Sequence, residues 1–81
     1  MKIMIEEKDE YTTHLYLVKK DGSLRFVSCI EQDEADALMH YSSSISYEEE
    51  AHGLIGIYTT DIRDGLKMWI ASIHKDELKE L

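Results

Sequence analysis

Thr13-His14-Leu15-Tyr16-Leu17-Val18-Lys19-Lys20 and Ser23-Leu24-Arg25-Phe26-Val27-Ser28-Cys29-Ile30 are rich in β-branched and aromatic residues, and Asp21-Gly22 separates them. That pattern predicts a hairpin closed by a two-residue type I′ turn, which requires positive φ at both central positions. Asp64-Gly65 repeats the signal 43 residues later, between Leu54 to Arg63 and Leu66 to His74. The alternative over 61 to 81 is one helix with Ile62, Leu66, Trp69, Ile70 and Ile73 on a single stripe. That helix would hold Gly65 in its first turn at a cost of ~1 kcal/mol relative to alanine, so the hairpin is preferred.

Sliding the chain by 43 positions pairs residues 21–38 with 64–81, and six of the eighteen pairs are identical, against ~1 by chance. Phe26 falls on Trp69, Val27 on Ile70 and Ser28 on Ala71. The match suggests an internal ββα duplication, with repeats at 11–38 and 54–81 inside a single domain spanning 1–81.

Between the hairpins, Ala35, Leu38, Met39, Ser42 and Ile45 gather on one side at helical spacing, and Asp33, Asp36, His40 and Ser43 take the other. A helix from about Asp33 to Ile45 is expected, capped by Asp33. The expected fold class is α+β: one small antiparallel sheet of four to five strands, the main helix on one face and a short C-terminal helix. The segment Lys2 to Lys8 would add an edge strand. With two-residue turns, Leu15, Leu17, Leu24, Phe26, Ile30, Tyr58, Ile62, Trp69 and Ile73 share the covered face. Tyr16, Val18, Val27, Ile57, Leu66, Met68 and Ile70 share the other, which is too apolar to face water. A second copy of the chain is the expected cover, so this face is a candidate homodimer surface.

Charge changes the picture more than composition does. The chain has 81 residues and a net charge of −8. No lysine or arginine occurs between Arg25 and Arg63, and eight acids fall in that interval: Glu31, Asp33, Glu34, Asp36, Glu48, Glu49, Glu50 and Asp61. The rest of the chain balances nine acids against nine bases. Acids at a helix start complement the macrodipole, and acids in loops aid solubility. Neither accounts for the missing bases, whereas a single-sign field would steer a basic partner. Direct binding to nucleic acid is disfavoured, because no basic stripe is available for phosphates.

Candidate chemistry is sparse. His14, His40, His52 and His74 are scattered, and neither HxxxH nor CxxC spacing occurs. Asp36 and His40 share a helical face, and His52 follows Glu48-Glu49-Glu50-Ala51, so a metal or catalytic centre on Asp36, His40 and His52 is the weakest of three readings. The run Ser46 to Gly53 is expected to be an exposed connection, with a helical turn over Glu48 to His52 stopped by Gly53. The lone cysteine, Cys29, is expected as a buried strand residue in a reducing, cytoplasmic setting. No apolar run reaches the ~20 residues of a membrane span.

The leading functional expectation is a non-enzymatic acidic protein without a cofactor. It would present Glu31, Asp33, Asp36, Glu48, Glu49 and Glu50 to the basic surface of another protein, as an inhibitor or modulator. Small acidic proteins of phages and mobile elements act in this way against host or defence machinery, a parallel of analogy alone.

Overall fold

The computed structural model describes residues 2–81. Six strands form two separate three-stranded antiparallel sheets, each a simple meander. The first contains β1 (Lys2–Glu7), β2 (Thr13–Val18) and β3 (Leu24–Ile30). A helix, α1 (Gln32–His40), leads to the second: β4 (Ser42–Glu49), β5 (Leu54–Asp61) and β6 (Lys67–His74). Short 3-10 turns follow β4 at Ala51–Gly53 and β6 at Glu77–Glu80.

Two sheets replace the single four-to-five-strand sheet expected from the pattern. The difference originates at β4, which the helical spacing of Ser42 and Ile45 had assigned to the helix end and a loop. Three consecutive serines are poor helix interior, because their hydroxyls compete for backbone groups. Ser42 Oγ donates to the Leu38 carbonyl at 2.6 Å and Tyr41 N–H closes the last helical turn on Ala37 O at 2.9 Å. Ile45 and Tyr47 then continue as strand opposite Thr59 and Ile57. The N-cap is Glu31 without a side-chain cap bond, and Asp33 instead accepts the Glu34 N–H at 3.0 Å within the first turn.

Both Asp-Gly hairpins form, but neither turn is the two-residue type. Gly22 and Gly65 have φ of 87° and 75°, while no aspartate adopts positive φ among the described residues. In the first turn Gly22 N–H bonds Lys19 O at 3.0 Å, and Asp21 Oδ1 accepts the Ser23 N–H and hydroxyl at 2.9 and 2.6 Å. This is the longer hairpin turn with glycine in the left-handed position. The second turn is one residue longer: Asp61 N–H reaches Leu66 O, where Lys19 N–H reaches Ser23 O in the first.

A register shift follows each turn. Pairing moves from Tyr16↔Phe26 to Leu15↔Ser28, leaving Val27 unopposed, and from Tyr58↔Trp69 to Ile57↔Ala71, leaving Ile70 unopposed. Such bulges turn two consecutive side chains toward one face. The two bulged residues are the pair matched by the 43-residue shift.

The bulges and longer turns reassign the sheet faces, since a one-residue slip reverses every side chain beyond it. Leu15, Leu17, Ile55, Ile57, Ile70, Ala71 and Ile73 form one core with Leu38 of α1, and Ile3, Ile5, Val27, Ile30 and Ile45 pack against it. Each fully buried leucine or isoleucine contributes about 1.5–3 kcal/mol, and a chain this short has few to spare. Phe26, Leu24, Trp69 and Ile62 were expected beneath the helix and are instead exposed. Ile57 and Ile70, expected on the outer face, are 0% and 1% exposed. Cys29 is exposed rather than buried. Among the described residues no helix is long and apolar enough to cross a membrane.

The C-terminal turn is fastened to the first sheet. Arg25 Nε donates to Glu77 Oε1 at 3.0 Å, which holds the Glu77 carboxyl below its ordinary pKa, and Lys20 N–H donates to Glu80 O at 2.7 Å.

Candidate functional site

The acidic segment divides into two parts with different surroundings. At the start of α1, Glu31, Asp33, Glu34 and Asp36 are all exposed. Asp36 accepts an amide hydrogen from Gln32 at 3.0 Å, and among the described residues none of the four has a salt-bridge partner. At the end of β4 the situation differs. Lys67 of β6 pairs with Glu48, Lys75 lies 3.6 Å from Glu49, and Glu50 accepts the Ser72 hydroxyl at 2.6 Å. Lysines from outside the base-free interval therefore return to two of its carboxylates.

Trp69 connects the two parts. Its indole N–H donates to Ser72 Oγ at 3.2 Å, and Ser72 in turn donates to Glu50. Trp69 also lines a groove of about 490 Å³ with Asp33, Glu34, Ala37, Leu38, Asp61, Arg63 and Met68. The indole is 58% exposed although its N–H is bonded.

The far wall of this groove is rigidly built. Asp61 is buried at the end of β5 and receives Arg63 Nε at 3.1 Å and Nη2 at 2.7 Å, together with the Arg63 backbone N–H at 2.8 Å. The paired guanidinium is the main cause of a lowered Asp61 pKa. The same guanidinium lies 4.0 Å above the Tyr41 ring, and Ile62 N–H donates to Tyr41 O at 2.8 Å. The β5–β6 turn is thus pinned to the C-terminal end of α1, with the Arg63 charge matched by Asp61.

The expected oligomer face does not exist as one surface. Ile57 and Ile70 are core, Val27 and Met68 pack against the core from intermediate positions, and Leu66 is exposed in the β5–β6 turn. Tyr16 and Val18 alternate outward on β2. Around Tyr16 an unforeseen cluster forms: the His14, Tyr16 and Phe26 rings meet edge to face, with centroids 5.1 to 6.0 Å apart. Sequence reasoning missed it because the longer turn, which sets Tyr16 opposite Phe26, was not visible in the residue pattern.

Asp36, His40 and His52 stay apart in role. Asp36 bonds Gln32, and His40 meets Tyr41 edge-on. His52 occupies the left-handed region at φ 62° and ψ 32°, which lets the chain turn between β4 and β5. Among the described residues no three His, Cys, Asp or Glu side chains converge as a metal site would require.

No family model, curated protein or solved structure matches the chain.

Proposed function

We propose that the protein is a non-enzymatic binding protein that engages a basic surface of a partner protein through the carboxylates on and beside α1, and so inhibits or modulates that partner. The observation that carries this reading is that Asp33 and Glu34, exposed acids of α1 without an ion-pair partner among the described residues, line the same groove as an exposed tryptophan whose N–H is held. Charge without a counter-ion raises association rates, and an exposed aromatic supplies the contact energy that charge alone does not. The α1 carboxylates lead, and Glu48 to Glu50 contribute less because Lys67 and Lys75 screen two of them. A cytoplasmic setting suits the exposed free thiol of Cys29.

The test is capture of partners from the native host by the wild type and by an Asp33→Lys, Glu34→Lys, Asp36→Lys variant. The reading expects a captured protein that elutes with rising salt and is absent from the variant. Equal capture by both overturns it.

A second reading has its own observation, the cluster of exposed Phe26 with half-buried Tyr16 and His14, flanked by exposed Met4 and Leu24 on the outside of the first sheet. It would make the protein a structural or regulatory homodimer. Light scattering on the wild type and on Phe26→Lys separates the two readings, because only the homodimer loses mass in that variant.

A further inference from the structure

We infer that the groove between α1 and the end of the β5–β6 hairpin receives an arginine side chain of the partner, its guanidinium lying against Trp69 with Asp33 and Glu34 as acceptors. The inference rests on the proposed docking to a basic surface and names the group recognised. Four observations lead to it. The groove is largely apolar at its base, where Ala37, Leu38 and Met68 offer a lining for a methylene stem. Its tryptophan is mostly exposed yet held in orientation by the Ser72–Glu50 chain, so little side-chain entropy is lost on contact. Its one cation, Arg63, is already forked onto Asp61, which leaves Asp33 and Glu34 as the uncompensated charge of the rim.

Finally, the same wall contains an internal instance of the chemistry. Arg63 stacks on Tyr41 at 4.0 Å while its fork engages a carboxylate. Arginine suits such a place better than lysine, because a planar, weakly hydrated guanidinium can stack and bond two oxygens at once. Tryptophan is the strongest aromatic partner for a cation.

The chain has one tryptophan, so its fluorescence reports on this groove alone. The probe is an acetylated Arg-Gly-Arg-Gly-Arg amide, compared with its lysine counterpart and with its citrulline counterpart, which keeps the shape without the charge. The arginine peptide is expected to change Trp69 emission saturably, with the citrulline peptide weaker by about tenfold or more. Calorimetry on Trp69→Ala and on Asp33→Asn, Glu34→Gln is expected to show similar losses, and circular dichroism checks that both variants fold. Trp69→Phe, which keeps a ring, recovers part of the affinity. Binding that leaves Trp69 emission unchanged, or that is undiminished in folded Trp69→Ala, overturns the groove as the site while leaving the acidic-surface reading intact. Absence of any binding at low salt overturns the arginine inference, and capture of the native partner then judges the wider reading separately. Equal affinity for the lysine peptide overturns the preference for guanidinium.

Discussion

On the outer surface of the first sheet, the rings of His14, Tyr16 and Phe26 lean on one another, with Phe26 exposed and the other two half-buried. The corresponding surface of the second sheet carries Gly56, Tyr58 and Trp69, at the same places relative to the bulge. There, polar ties replace ring contacts: Glu48 meets Lys67 across Tyr58, and Glu50 reaches Trp69 through Ser72. Gly56 makes this arrangement possible, because a Cβ at that position would lie 2.8 Å from the Tyr58 ring and 3.2 Å from the Glu50 carboxyl carbon. Two meanders with the same order, the same bulge and one shared core thus present different chemistry outward. Backbone pairing and inner-face burial set the frame, and the outer residues are free to diverge because they contribute little to the core.

The sharpest break of that comparison concerns the core that the sheets share. Leu17→Ala and Ile57→Ala remove fully buried side chains from opposite sheets. Each is expected to cost about 2–5 kcal/mol in urea denaturation. A loss confined to one of them would show that the sheets do not form a single cooperative core.

Gly56→Ala ranks next, at about 1–3 kcal/mol for forcing a methyl group against Tyr58. The cost should shrink in a Tyr58→Ala background. If it does not, the glycine serves the backbone rather than the ring above it.

His52 gives a smaller effect of opposite sign. A histidine at φ 62° is held where glycine sits without a steric penalty. His52→Gly is expected to raise stability by up to about 1 kcal/mol, net of the flexibility it adds to the unfolded chain. A measured decrease would mean that the imidazole makes a stabilising contact that outweighs the strain.

The smallest effects are the acid responses of the two hairpin turns. Asp21 and Asp61 both have lowered pKa values, Asp21 chiefly through the Ser23 hydroxyl and Asp61 chiefly through Arg63. A carboxyl whose pKa is depressed on folding stabilises the fold fully above its unfolded value, about pH 4, and that contribution disappears as pH falls through the folded value. Asp61→Asn should therefore flatten the loss of stability below about pH 4, and Asp21→Asn should do so less, since Asp21 is exposed to solvent. An unchanged acid profile in both variants would remove the turns from the acid response.

The two hairpins and the helix were legible in the residues, but the division into two sheets was not. The Asp-Gly pairs marked both hairpins because glycine is needed where φ is positive, and Lys2 to Lys8 read correctly as an edge strand. Of the helix face identified by spacing, Ala35 and Leu38 are buried, whereas Met39 is exposed and Ser42 and Ile45 belong to β4. Ser42 to Glu49 was misread because Ile45 lies at helical spacing from Leu38 while the serines carry no strand signal of their own. Trp69 and Ile57 exchanged faces because turn length and bulges, neither written in the apolar pattern, decide register. The groove escaped notice for the same reason, as its residues come from α1, the end of β5, the turn and β6.

The chain alone determined its charge imbalance, its turn positions and the stock of apolar side chains available for burial, since each is a property of residue type and local order. The assembly decided which carboxylates keep their charge uncompensated and which meet Lys67 or Lys75. It also decided that the single tryptophan faces outward between them. Those outcomes depend on contacts between segments distant in the chain, and a shift of one residue in one hairpin is enough to reverse them.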